Sequence, residues 1–200
     1  MAIKDAHTEE LIKETAKRVF FKEGRFHATT QEIADAAGVN RALIHYYFRS
    51  RDQLLEVIIK EGVLMMHLKL KSIVNSEVEF KDKIDRFLDI LIEESLEFPY
   101  NETFIITEMN KNPNSKMLET LGCMKDEVVE VFAQYIRDEI EKGTIEAISP
   151  THFMVNLMSL VAYPLVSKPL LSQVFKWDKQ DFNQFMKERK EVILNLVFKK

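Results

Sequence analysis

Thr29-Thr30-Gln31-Glu32-Ile33-Ala34-Asp35-Ala36-Ala37-Gly38-Val39-Asn40-Arg41-Ala42-Leu43-Ile44-His45-Tyr46-Tyr47-Phe48 reads as two short helices joined by a tight turn. Thr29 to Glu32 has the form of a capping box, the threonine bonding forward and the glutamate reaching back, so a helix starts at Thr30 and runs through Ala37. Ala34 is small where a second helix has to approach. Gly38, four residues later, stands where the chain leaves the helix in a left-handed conformation that a side chain disfavours. Val39 closes the turn with an apolar side chain, and Asn40 can cap a further helix from Arg41 to Phe48. Ile33, Ala37, Ile44 and Phe48 supply the inward face, with Ile44 and Phe48 one helical turn apart. Two short helices crossing closely through such a turn predict a helix-turn-helix.

The opposite face is then free. It carries Arg41 and His45 on one flank, Ala42 and Tyr46 across the top, and Leu43 and Tyr47 on the other flank. A helix lying in a DNA major groove reads base edges with its N-terminal residues: Arg41 can donate two hydrogen bonds to guanine, and Ala42 or Leu43 can touch a thymine methyl. Thr30 and Gln31 begin the preceding helix, whose exposed amides suit a phosphate, and Tyr47 and His45 can donate to phosphate oxygens. The candidate contact set on these two helices is Thr30, Gln31, Asn40, Arg41, Ala42, Leu43, His45, Tyr46 and Tyr47.

Outward from this stretch the chain keeps a helical rhythm. Leu11, Ile12, Thr15, Ala16, Val19 and Phe20 recur at three- and four-residue spacing, with Thr8 as the expected N-cap and Gly24 as the stop. Ser50-Arg51-Asp52 precedes an amphipathic helix from Arg51 to about Val74. Further helices are expected near Lys81–Phe98, after Pro99 to Lys111, from Ser115 to Lys142, over Thr151–Val166 and over Asp178–Phe198, with Asn112-Pro113-Asn114, Gly143 and Ser149-Pro150 as breaks. The prediction is an all-α chain of about nine helices: an N-terminal three-helix domain over residues 1–50 and a larger helical domain over residues 51–200. Only five Gly and five Pro in 200 residues agree with that, since a sheet protein needs more turn residues.

Charge sets a condition on any nucleic-acid role. The net charge is −4, yet residues 1–60 hold ten basic residues against nine acidic ones, and the acidic excess lies in residues 61–200. DNA contact must therefore rest on a few placed cations and dipoles, not on bulk charge. The charged opening stretch is no secretory signal, and the most apolar segment, Phe153 to Val166, is too short to span a bilayer, so a soluble, cytoplasmic chain without membrane attachment is expected. A lone Cys123 forms no intrachain disulfide and reads as a small buried hydrophobe.

The run Phe26-His27-Ala28-Thr29-Thr30-Gln31-Glu32-Ile33-Ala34-Asp35-Ala36-Ala37-Gly38-Val39, followed by Ile44, Tyr47-Phe48, Ser50-Arg51 and Leu54, resembles the N-terminal signature of TetR-family regulators. It covers about a quarter of the chain. The resemblance implies a dimeric, ligand-responsive repressor that binds double-stranded DNA at a pseudo-palindromic operator. It adds Arg51 to the DNA-binding set, at a position where the family usually carries a phosphate-contacting Lys. His45 stands where a Tyr usually contacts the backbone, and an imidazole there could make operator affinity pH-sensitive.

The resemblance also implies a cavity for a small, apolar effector, for which Met66, Phe87, Phe104, Met109, Phe132 and Met158 are the candidate walls. Met65, Met117, Met124 and Met154 complete a soft apolar supply that core packing largely explains. It further implies a homodimer through the last two helices, with Phe153, Leu157, Leu160, Val161, Leu165, Phe182, Phe185, Met186, Ile193, Leu194 and Val197 pairing against their copies. Trp177 falls between those helices. Asp85, Asp89 and Glu93, with Lys81 and Lys83 near them, read as a solvated face. No cofactor, metal site or catalytic residue is expected: the zinc-protease histidine pair, the di-iron Glu-x-x-His motif and both phosphate-binding glycine fingerprints are absent. An all-helical adaptor without DNA binding is the alternative, and an enzyme a weaker one.

Overall fold

A computed structural model describes residues 2–111 and 127–198, and among these it holds ten α-helices and no strand. They are α1 (Ala2–Lys17), α2 (Thr30–Ala37), α3 (Arg41–Phe48), α4 (Arg51–Val74), α5 (Phe80–Glu97), α6 (Asn101–Lys111), α7 (Glu127–Glu141), α8 (Pro150–Val166), α9 (Lys168–Phe175) and α10 (Lys179–Val197). A single π-helical turn, Arg18–Lys22, extends α1. The all-α expectation holds. Met117, Cys123, Met124, the Asn112–Asn114 break and the first part of the expected Ser115–Lys142 helix lie outside the described residues. The chain divides into two compact units, residues 1–65 with 98–123 and residues 66–97 with 124–200, and α4 contributes to both.

The first unit is built on aromatic and branched side chains that face inward from α1, α2, α3 and the start of α4. Ile12, Ala16 and Phe20, at helical spacing on α1 and its π extension, are fully buried with Ile33, Ile44 and Leu54. Thr8 is not the N-cap expected of it: nothing between Ala2 and His7 breaks a helix, and α1 runs through it. The turn after the π segment passes through Gly24 at φ +71°, and a Cβ there would meet the Tyr100 ring at 3.1 Å. Only glycine satisfies both conditions. The Tyr100 amide donates to the Phe21 carbonyl at 3.0 Å, and Phe104 from α6 packs edge-on at 5.3 Å to both Phe21 and Phe26. The unit that contains the helix-turn-helix thus includes α6.

In the second unit, Phe80, Ile84, Leu88 and Ile92 recur every four residues on α5 and are buried with Phe153, Leu157, Val161 and Leu165 of α8 and Phe182, Met186 and Ile193 of α10. Each fully buried side chain of this size contributes about 1.5–3 kcal/mol relative to exposure. Two polar devices fix the packing. Lys190 of α10 bridges Asp85 at 3.0 Å and Asp89 at 2.8 Å on α5, and these two carboxylates together hold its ammonium above its ordinary range despite its burial. Arg189 donates from Nε to the Leu160 carbonyl at 3.0 Å. That carbonyl is four residues before Pro164, which sits inside α8 and has no N–H to return.

Two expectations for this unit are corrected. Asp85 and Asp89 are not merely a solvated face, since they clamp Lys190, and Lys83 is 3% exposed. Its ammonium donates to the carbonyls of Ile73 at 3.2 Å, Val74 at 2.9 Å and Ser76, and lies 5.0 Å from the Tyr135 ring. It closes the C-terminal end of α4, where carbonyls lack helical partners and favour a cation. Burial, helped by Arg86, pushes its pKa down. Seven of the residues assigned to a dimer face, Phe153, Leu157, Val161, Leu165, Phe182, Met186 and Ile193, instead fill this core. The outward apolar side chains of α8 and α10 are Val155, Met158, Tyr163, Val166, Val192 and Leu196. Trp177 stacks at 4.8 Å on Phe175 and lies 4.8 Å from Phe185, in the turn between α9 and α10.

Candidate nucleic-acid interface

The scaffold of the interface is the capped pair α2 and α3. Thr29 is extended (φ −77°, ψ 163°), its hydroxyl accepts from the Glu32 amide at 3.3 Å, and the Glu32 carboxylate accepts from the Thr29 amide at 2.8 Å. The capping box expected of these residues is therefore closed. The Thr29 amide and hydroxyl, and then the Arg25 guanidinium at 2.5 Å, hold the Glu32 carboxyl below the usual range. Gly38 ends α2 at φ +66°, its amide donating to the Asp35 carbonyl while the Val39 amide donates to that of Ala34. A Cβ on Gly38 would meet nothing within 4 Å, so the demand for glycine is purely conformational. Asn40 caps α3, its Oδ1 accepting from the Ala42 amide at 2.8 Å.

With Ile44 and Phe48 buried, α3 turns Arg41, Ala42, His45 and Tyr46 outward, and Tyr46 is 63% exposed. Gln31 and Asn40 are exposed beside them, while Thr30, Leu43 and Tyr47 are half-buried. Tyr46 and Tyr47 meet edge to face at 5.0 Å. All the sequence-derived candidates on α2 and α3 are thus gathered around one solvent-facing recognition helix. Arg41 donates from Nε to the Thr30 hydroxyl at 3.1 Å, a contact that joins the two helices of the motif and that spacing alone did not reveal. Arg51 is half-buried. Its Nε donates to the Ala28 carbonyl at 3.0 Å, Nη2 donates to the Phe26 carbonyl, and the guanidinium lies 5.0 Å from the Phe20 ring. This internal grip on the segment that leads into α2 has no sequence signal beyond the choice of Arg.

The candidate effector-pocket residues do not form one wall. Phe104 belongs to the core of the first unit. Phe87 and Phe132 meet at 6.3 Å in the second unit, Met66 is half-buried, and Met158 is 51% exposed. Nothing of the Met109 side chain is described. A separate open cleft of about 480 Å³ is lined by Glu77, Glu79, Asp82, Lys83, Tyr135, Glu139 and Lys142, among others. Among the described residues no group of His, Cys, Asp and Glu could hold a metal ion, and no single helix is long and apolar enough to cross a membrane.

A capped helix-turn-helix that presents an exposed second helix, with only helices among the described residues, has the architecture of a helix-turn-helix DNA-binding module. Residues 12–58 match the family of bacterial regulatory proteins described as the tetR family. Over 176 residues the chain is 23% identical to the uncharacterized HTH-type transcriptional regulator YhgD of Bacillus subtilis, covering 86% of this chain and 85% of that protein. Its fold is similar to that of the fatty acid degradation regulator FadR from Bacillus halodurans (TM-score 0.64, 16% identity, 94% of this chain and 95% of that one). It is likewise similar to a TetR transcription regulator from Haloarcula marismortui (TM-score 0.66, 16% identity, 97% and 100%). Residues 12–58 thus match the TetR family's N-terminal domain, and over most of its length the chain is similar to a transcriptional regulator.

Proposed function

We propose that this regulator is a ligand-responsive repressor that binds a pseudo-palindromic operator as a homodimer. The observation that carries the reading is the exposed face of α3, where Arg41, Ala42 and Leu43 lie in the first turn, the part of a recognition helix that meets base edges. Arg41, Ala42 and Leu43 read bases, and Gln31, Asn40, His45, Tyr46 and Tyr47, together with the backbone amide but not the hydroxyl of Thr30, set register on the phosphates. Arg51 supports the interface from behind, through the Phe26 and Ala28 carbonyls. One eight-residue recognition helix reads too few bases for specificity, so a two-fold pair about one helical turn apart is required.

The homodimer interface is formed by α8 and α10, and the outward Val155, Met158, Tyr163, Val192 and Leu196 support it. The effector is a small apolar molecule bound in the second unit near the Phe87 and Phe132 rings. Since one structural neighbour is named a fatty acid degradation regulator, acyl compounds are the first class to screen. Release from DNA requires the effector to favour one state of the dimer over another, and a coupling of about 1–3 kcal/mol changes operator affinity several-fold or more. A chain that regulates transcription in this way works in the cytoplasm.

The test is selection of the purified protein against a pool of random duplexes across a salt series, with Arg41→Ala beside it. Enrichment of a two-fold symmetric site that Arg41→Ala loses is the expected result. Salt-sensitive binding without sequence preference refutes the reading and favours a protein partner.

A further inference from the structure

Arg41 is an exposed, flexible side chain at the first position of α3, and among the described residues no carboxylate pairs with it. A free arginine there would sample many rotamers and lose that freedom on meeting a base. Here it is tethered: Nε donates at 3.1 Å to the hydroxyl of Thr30, the first residue of α2, eleven positions earlier in the chain. The tether has a geometric consequence. Guanidinium offers five N–H donors in a fixed fork, and with Nε engaged, the edge left for a bidentate partner is the end-on pair Nη1 and Nη2. Guanine presents two acceptors, O6 and N7, in the major groove, and no other base offers two side by side there.

We propose that Thr30 is a positioning residue for sequence readout: its hydroxyl sets the direction of Arg41 so that the terminal nitrogens meet a guanine end-on. This rests on the reading of α3 as a groove-binding helix. Thr30 itself touches no base in this arrangement, and it acts on specificity through Arg41. The first helix of the motif thereby tunes what the second one reads.

The experiment measures base preference at each position of the selected operator for the wild type, Arg41→Ala, Thr30→Val and Thr30→Ser, with thermal melting and the salt dependence of affinity for each. Arg41→Ala is expected to abolish a guanine preference at one position per half-site. Thr30→Val, nearly isosteric, keeps the melting temperature and the salt slope and lowers the guanine preference at that same position by roughly two- to tenfold, the range for one net hydrogen bond. Thr30→Ser restores it. If Arg41→Ala loses the preference while Thr30→Val keeps it at wild-type strength, the positioning role is refuted. A Thr30→Val variant that binds all sequences more weakly with a reduced salt slope also refutes it, because the hydroxyl then serves a phosphate. If Arg41→Ala leaves every preference intact, the groove reading of α3 itself fails.

Discussion

Replacing Arg189 by methionine removes the donor that answers a specific defect in α8. Pro164 has no N–H, so the carbonyl of Leu160, four residues earlier, is left without its helical partner, and Arg189 from α10 supplies one at 3.0 Å. Hydrogen bonds from charged donors contribute about 1.5–3 kcal/mol when buried. Both residues are half-buried here, so the expected loss is about 1–2 kcal/mol, or a fall in melting temperature of roughly 2–8 °C for a chain of this size. Methionine keeps the aliphatic stem packed, so what is lost is the hydrogen bond together with the guanidinium's place 5.6 Å from the Phe185 ring. Combining the substitution with a change at Pro164 separates the two contributions. In a Pro164→Ala background the amide of residue 164 can serve Leu160 directly, so Arg189→Met then costs less. A double-mutant cycle by urea denaturation at fixed protein concentration should give a coupling of about 1 kcal/mol. Additive effects of the two substitutions would refute the account, since Arg189 would then act through something other than the carbonyl that proline leaves open.

Contacts of Glu32, Arg51 and Lys83 have measurable consequences as well. Glu32→Gln should destabilise the protein at neutral pH and not at low pH: the folded carboxyl is held below its unfolded value, so its contribution is complete above the unfolded pKa and lost as pH falls through the folded one. Melting curves from pH 7 to pH 2 check this, and a constant difference between variant and wild type contradicts it. Arg51→Met should cost about 1–3 kcal/mol of stability yet leave the slope of log K against log salt unchanged, because its guanidinium serves the Phe26 and Ala28 carbonyls. A slope smaller by about one would assign Arg51 to a phosphate instead. Lys83→Met should cost about 1–3 kcal/mol by uncovering the carbonyls at the end of α4, read as a shifted denaturation midpoint. An unchanged midpoint would show that solvent replaces the ammonium without loss.

The parts of this fold that could be read in the sequence are those whose instructions are local. Capping at Thr29 and Asn40 and the left-handed turn at Gly38 each depend on residues within a few positions, and all three stand as expected. The outward set on α3 followed from knowing that Ile44 and Phe48 face in. Elsewhere, periodicity could not choose a face. Along α8, Phe153, Met154, Val155, Leu157, Met158, Leu160 and Val161 are apolar nearly all round, so spacing did not tell the core side from the exposed side. No helix was expected over Lys168–Phe175, a short element whose Pro169 sits in the first helical turn, where proline is well placed. Phe104 looked like a cavity wall since its partners, Phe21 and Phe26, are about eighty residues away, a separation that no local pattern encodes. The tether of Arg41 to Thr30 and the burial of Lys83 belong to the same class, side-chain contacts made only after helices meet.

The hydrogen bond from Tyr100 to Phe21, together with Phe104 seated between Phe21 and Phe26, bears on how such regulators are recombined. A chimera that transplants only the first fifty or sixty residues onto another body would strip two phenylalanines of their cover and leave the ring that faces Gly24 behind. The portable cassette is discontinuous: the compact unit that carries the helix-turn-helix keeps its core only if α6 travels with α1, α2, α3 and the start of α4.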